Sequence, residues 1–401
     1  MTNEEYIGLH LKDDVRTLAL RRMEDGVDGK WCLQQIEGWQ KAVGKLPRWA
    51  QTKGLWYPPS LALEQCSGEL AACYKRDVVE RLLPEGARMA LADLTGGYGI
   101  DFSYMGALFK TSDYIERNAE LCRIAEHNFS TLKLHGARVI CSDSIEYIAT
   151  TTKSYDLIYL DPARRDMAGR KTVAIEDCTP DVCTLQELLL GAGRYVIIKL
   201  SPMLDISAAL ARLHCVCEVH VVCVKGECKE LLFVQQAGYD GVPVYHTANI
   251  EGDKLRIYIC TREEMLASRP MMPQTCGSNA VDKYLYEPHA GILKAGMQDT
   301  LCKRYGVAKL HPMSNLFTSD IPVDDFPGRS FEVLGYCGFG KKELRAMLDG
   351  INCANLTVRN FPSTVAELRK KLHLREGGDV YLFATMLEDG SRVLVRCRKY
   401  L

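Results

Sequence analysis

From Glu85 to Gln236 short apolar runs alternate with stretches of helical spacing, and the last two runs are joined by only Lys225-Gly226-Glu227-Cys228. Strands that alternate with helices make a parallel sheet, because each parallel connection must cross back over the sheet's face. A four-residue link is too short for such a crossover, so the closing pair must be an antiparallel hairpin. The segment is thereby limited to a parallel α/β sheet with an antiparallel last strand. The predicted strands are Met89–Ala92, Tyr114–Ile115, Arg138–Ile140, Asp156–Leu160, Arg194–Leu200, Glu218–Val224 and Glu230–Val234. Leu121, Ile124, Ala125 and Leu132 form a helical apolar stripe between the second and third.

The remaining sequence divides around this block. Residues 1–84 read as a helical N-terminal domain, with Val15 and Leu18 at helical spacing and punctuation at Gly26, Gly29, Pro47 and Pro58-Pro59. All four tryptophans lie there, and Lys41, Lys45, Arg48 and Lys53 fall between Glu37 and Glu64 without an intervening acid. Two readings fit: a nucleic-acid surface of rings and cations, or a small tryptophan core under solubilising lysines, which is preferred. Residues 85–240 form the sheet domain. Residues 241–330 show less pattern and read as a connecting subdomain. Residues 331–401 read as a small α+β domain in the order strand, helix, strand, helix, hairpin, turning at Glu388-Asp389-Gly390. From Phe331 the chain carries 12 Lys/Arg against 8 Asp/Glu, whereas the full 401 residues have a formal net charge of -1. The basic excess is therefore regional.

The 17 cysteines are scattered, with no CxxC pair, and are expected to be reduced core residues, with no metal site. The acidic start MTNEEYIGLHLKDDV does not resemble a signal peptide, and no apolar run is long enough to span a membrane. A cytoplasmic protein without a membrane partner is expected.

The chemistry concentrates in LADLTGGYGID, Leu91 to Asp101. A dinucleotide fingerprint needs a third glycine three residues after Gly99, where Phe102 stands, and a phosphate loop needs a lysine that is absent. What remains is Asp93 at a strand end, then Gly96, Gly97 and Gly99 leading into a helix. This suits a ligand bearing an ammonium and a carboxylate. The next strands end at Glu116, Asp143 and Asp161, so four acids stand at the carboxyl edge, where open α/β sheets bind ligands. An acid at Glu116 can accept from both ribose hydroxyls, and one at Asp143 from an adenine amine.

The ordered set of Asp93, Thr95 to Gly99, Glu116, Asp143 and DLIYLDPARR resembles the motifs of class I S-adenosylmethionine-dependent methyltransferases. The resemblance implies a Rossmann-like seven-stranded sheet. It also implies methionine contacts at Asp93, Thr95, Gly96, Gly97 and Gly99, ribose at Glu116 and adenine at Asp143. The upstream LEQCSGELAACYK, with Gln65 and Ser67, resembles an element that closes over the methionine end. The whole arrangement is similar to uncharacterised bacterial methyltransferases with a THUMP-like C-terminal domain, which implies an RNA partner.

Asp161-Pro162-Ala163-Arg164 stands where amino-directed members carry [DNS]PP[YFW]. The acid and first proline are kept, while the second proline and the aromatic are missing. It also resembles the DPPR of uridine C5 methyltransferases, but the cysteine that route needs after the fifth strand is replaced by Lys199-Leu200-Ser201-Pro202. Methylation of nitrogen or oxygen is therefore preferred, with Asp161 and Pro162 at the target and Arg164 and Lys199 contacting substrate. Gly335 to Lys342, GYCGFGKK, mimics a phosphate loop but has Lys342 where a metal-ligating hydroxyl belongs, so it reads as a basic turn. Two alternatives stay open: a methyltransferase of a protein or small molecule, and a non-catalytic RNA-binding protein that retains the fold.

Overall fold

The computed structural model describes residues 1–23, 25–163, 174–268 and 280–400. The chain forms two compact units, Met1–Val219 with Lys229–Gly241, and His220–Cys228 with Val242–Leu401.

The first sheet begins with β1 Ala90–Asp93, β2 Thr111–Glu116, β3 Ala137–Cys141, β4 Tyr155–Leu160, β5 Gly193–Leu200, β6 Val216–Val224 and β7 Glu227–Gln236, the hairpin tip His220–Cys228 of the last two belonging to the second unit. Their order is β3-β2-β1-β4-β5-β7-β6. β1 to β5 pair in parallel, and β7 runs antiparallel to β5. Strands after β1 run outward on one side through β2 and β3, and on the other through β4 and β5. This reversal opens a crevice at the carboxyl ends of β1 and β4. The β6–β7 link tightens to Lys225 and Gly226, with φ of 53° and 78°. Two successive positive φ values are the signature of a type I′ turn, whose twist matches the flanking strands.

The helical segment does not stand apart as the sequence suggested. Its longest helix, Gly29–Lys45, is capped by Asp28, which accepts from the backbone N of Trp31. Leu46, Trp49, Leu55 and Tyr57 share one apolar cluster with Tyr98, Ile100 and Ile124. Residues 1–84 thus complete the core beside the glycine loop, and separating them would expose both surfaces. Trp39 Nε1 donates to the carbonyl of Ala50, and Trp56 stacks on His127 at 3.8 Å.

The second unit contains β8 Val244–Glu251, β9 Lys254–Thr261, β10 Tyr284–Pro288, β11 Ala308–Lys309, β12 Phe317–Ser319, β13 Gly328–Cys337, β14 Asn355–Val358, β15 Val380–Met386 and β16 Arg392–Lys399. The hairpin β8–β9 extends the order as β6-β8-β9, two strands more than the sequence predicted. A second sheet has the order β11-β12-β10-β13-β16-β15-β14. Its β10 to β12 come from the segment expected to be a connector, and β10 pairs directly with β13. From Tyr284 the 241–330 stretch is therefore part of the C-terminal sheet rather than a linker to it, while its β8 and β9 belong to the first sheet. The tail elements otherwise follow the predicted order, including helices Lys341–Met347 and Val365–Leu372. Leu344, Leu348, Val365, Leu368 and Leu372 pack against Leu356, Leu382 and Leu394, so both helices bury their apolar sides against the sheet. Among the described residues no helix is long and apolar enough to cross a membrane.

Candidate active site

β1 delivers Asp93 and β4 leads into Asp161, one on each side of the switch point. Thr95 joins them: its N–H donates to Asp93 Oδ1 at 3.0 Å, and its Oγ1 accepts from the Asp161 N–H at 2.6 Å. Asp93 is 1% exposed. Burial pushes its carboxyl well above the ordinary range despite the Thr95 N–H, and Asp101, Asp161 and Glu116 add repulsion. Among the described residues no cationic side chain pairs with it.

The glycine loop is bare largely because of what lies beneath it. A Cβ on Gly96 would fall 2.3 Å from the Tyr114 ring, and one on Gly99 would fall 2.8 Å from Phe129. Gly97 is needed for its φ of 57°. The loop is pinned by Glu116, which accepts from Gly97 N at 2.9 Å and from Asn118 N at 2.8 Å. Gly99 then opens helix Ile100–Gly106.

A buried charge network continues from this edge. Lys75 is fully buried; its Nζ donates to Ser67 Oγ and to Asp101 Oδ1, both at 3.0 Å. The same ammonium forms an ion pair with Glu230 Oε1 at 2.5 Å. Asp101 Oδ2 accepts from Ser67 Oγ and from Tyr159 OH, each at 2.7 Å. Burial pushes the Asp101 carboxyl up, but Lys75, Lys199, Ser67 and Tyr159 together hold it below the usual value. Glu230 is the opposite case, since burial raises it despite both lysines. Lys199, on β5, pairs with Asp161. Burial works against its charge, yet Asp161, Asp101 and Glu230 raise its pKa, so it stays an ammonium. Four acids, Asp93, Asp101, Asp161 and Glu230, thus share two cations, Lys75 and Lys199, which do not offset the burial that raises Asp93 and Glu230. The shortfall is one that a cationic ligand at the crevice fits.

The structure therefore gathers Asp93, Thr95, Gly96, Gly97, Gly99, Glu116, Ser67, Asp161 and Lys199. Pro162 is buried beside them, and Ala163 exchanges two backbone hydrogen bonds with Thr179. Gln65 is exposed at the end of helix Ser60–Gln65 and has no place in the network. Asp143 caps helix Ser144–Thr150 by accepting from Ile145 N at 2.8 Å and Glu146 N at 3.3 Å, so a capping role now accompanies the adenine expectation. Arg164 lies outside the described residues. Lys75, Asp101, Tyr159 and Glu230 were not singled out from sequence. The available signal was a charge at a core position: Lys75 shares the buried face of its helix with Ala71, Ala72, Val78 and Val79.

A parallel sheet closed by an antiparallel strand, with carboxylates along its switch-point edge, defines the class I methyltransferase architecture. Comparison with known proteins agrees. A candidate methyltransferase of known structure from Porphyromonas gingivalis W83 is 34% identical, with a TM-score of 0.88, and the match covers 100% of this chain and 98% of that one. An uncharacterized S-adenosylmethionine-dependent methyltransferase of Mycobacterium tuberculosis, found in strains CDC 1551 and H37Rv, is 24% identical over 374 residues, 92% of this chain and 96% of that protein. The model of a ferredoxin-like domain matches residues 284–327, and that of a THUMP domain-like module matches residues 328–399. The chain belongs to this family of S-adenosylmethionine-dependent methyltransferases.

Proposed function

We propose that the protein methylates RNA at a nitrogen or oxygen atom, using the crevice between β1 and β4. S-adenosyl-L-methionine supplies, when bound, a methyl group on a sulfonium that leaves as a neutral thioether. The observation that carries the reading is the buried, cation-free carboxylate of Asp93 within a network short of positive charge. Asp93 receives the ammonium end, Gly97 and Gly99 give a close backbone approach, and Glu116 accepts from the ribose hydroxyls. Residues Asp161 and Pro162 face the methyl. Lys199 holds the Asp161 side chain in orientation, so that it accepts the hydrogen bond of the target group as that group becomes nucleophilic.

RNA is supported by the THUMP-like match and by charge. Helices Lys341–Met347 and Val365–Leu372 expose Lys341, Lys342, Arg345, Lys370 and Lys371 against Glu343 and Glu367. Such a surface attracts phosphate irrespective of sequence.

The test is transfer of labelled methyl to separate pools of cellular RNA, DNA and protein, with wild type beside Asp161→Ala. Label in RNA that is lost in the mutant is expected. Label confined to protein or to small molecules would overturn the RNA assignment while retaining the enzyme class.

A further inference from the structure

The tip of the β6–β7 hairpin carries two thiols that the methyl-transfer site does not use. With Lys225 and Gly226 as the whole turn, Val224 faces Glu227 and Cys223 faces Cys228. The second pair from such a turn is of the non-hydrogen-bonded kind, where side chains come closest across an antiparallel ladder. Their sulfurs are 3.0 Å apart, sharing one S–H. Neither is bridged.

Helix Ala290–Lys294 lies over this pair. A Cβ on Gly291 would stand 3.2 Å from Cys223 Sγ, so the glycine lets the helix seat directly on that sulfur and shield it. Cys223 is buried, whereas Cys228 is half-buried and reachable. The two thiols are not equivalent electrostatically either. The shared hydrogen bond from Cys223 and the Lys294 ammonium favour a thiolate on Cys228 against a desolvation cost, whereas the same hydrogen bond and burial push the Cys223 thiol far up. A reachable thiolate beside a shielded partner thiol is the arrangement of an attacking and a resolving cysteine.

We infer that Cys223 and Cys228 form a site of reversible oxidation by peroxides. The Cys228 thiolate attacks one peroxide oxygen; the S–O bond forms, the O–O bond breaks, and the released hydroxide takes a proton to leave as water. The Cys223 sulfur then attacks the Cys228 sulfenic acid. The S–S bond forms, the S–O bond breaks, and hydroxide leaves as water with the Cys223 proton. Two thiols are oxidised and one peroxide is reduced to two waters. The inference is independent of the substrate assignment.

The experiment treats the full-length protein with graded hydrogen peroxide, blocks remaining thiols with iodoacetamide, and digests the denatured chain with trypsin. Cleavage after Lys225 separates LHCVCEVHVVCVK, Leu213 to Lys225, from GECK, Gly226 to Lys229. The expected result is that these peptides stay linked, two hydrogens lighter than their sum, at peroxide levels that leave the other cysteines alkylated. Fragmentation assigns the link to Cys223, and dithiothreitol removes it. Linkage to Cys215 or Cys217, or separate alkylated peptides where other cysteines are already oxidised, would overturn the inference. In Cys223→Ser, Cys228 is expected to stop at a sulfenic acid that reacts with dimedone. In Lys294→Gln, peroxide oxidation of Cys228 should slow by about twofold to tenfold; an unchanged rate would remove Lys294 from the account.

Discussion

Two stretches of this chain combine basic side chains with apolar or aromatic neighbours, and the structure uses them in opposite ways. In the N-terminal stretch, Lys41 pairs with Glu37 at 3.0 Å and Glu64 at 2.8 Å. Lys45 donates to the carbonyls of Leu63 and Glu64, and Arg48 meets Glu69 at 3.3 Å. The tryptophans beside them pack inward, Trp49 being 3% exposed. The C-terminal helices instead point Lys341, Lys342, Arg345, Lys370 and Lys371 into solvent. A local charge excess therefore stays open to solvent only where acids from elsewhere in the fold do not neutralise it. The C-terminal helices meet that condition, and the N-terminal stretch does not.

The largest expected effect lies on the inward side of this contrast. Trp49→Ala should destabilise the protein by about 3–5 kcal/mol, as large aromatic truncations in cores do. A shift below about 1 kcal/mol in denaturant unfolding would return the tryptophans to a nucleic-acid role. Next, replacing the five exposed C-terminal basic residues together by glutamine should leave the unfolding midpoint nearly unchanged. It should weaken RNA binding and flatten its salt dependence by roughly one unit of slope for each phosphate no longer neutralised. An unaltered slope would contradict the docking role.

Electrostatic matching also governs the crevice. Asp93→Asn should lower S-adenosylmethionine affinity by about tenfold or more, the scale of a hydrogen bond to a charged group, while raising the melting temperature of the ligand-free protein. The sign follows from its raised pKa. Asp93 favours the ligand-free fold at low pH, and that contribution is lost as pH rises through the folded value. A cationic ligand reverses the preference, so affinity measured by calorimetry should increase with pH over the same window and lose that dependence in the mutant. The smallest effect belongs to Lys41→Gln, about 0.5 kcal/mol in stability with RNA binding unaffected.

The strands, the closing hairpin and the four edge acids were legible because each depends on local pattern: runs of apolar residues, a link too short to cross over, and acids at run ends. The network of Lys75, Asp101, Tyr159 and Glu230 was not, because its members come from separate elements that meet only through tertiary packing. Gly96 and Gly99 were read as making room for a ligand, whereas the rings of Tyr114 and Phe129 that also require them are supplied by other elements. The 241–330 stretch hid its strands for a related reason. β11 and β12 are only two and three residues long, too short for alternation to register, and β8, eight residues long, is buried on both faces over six consecutive positions, so it shows no alternation either.

The most direct test is the single-turnover rate of methyl transfer, at saturating S-adenosylmethionine and labelled RNA substrate, for wild type and Asp161→Ala, with cofactor affinity measured on the same samples. The predicted result is a loss of about 10²- to 10⁴-fold in rate with affinity changed by no more than a few-fold. Transfer at the wild-type rate would contradict the assignment of Asp161 and, with it, the placement of the reaction at the end of β4.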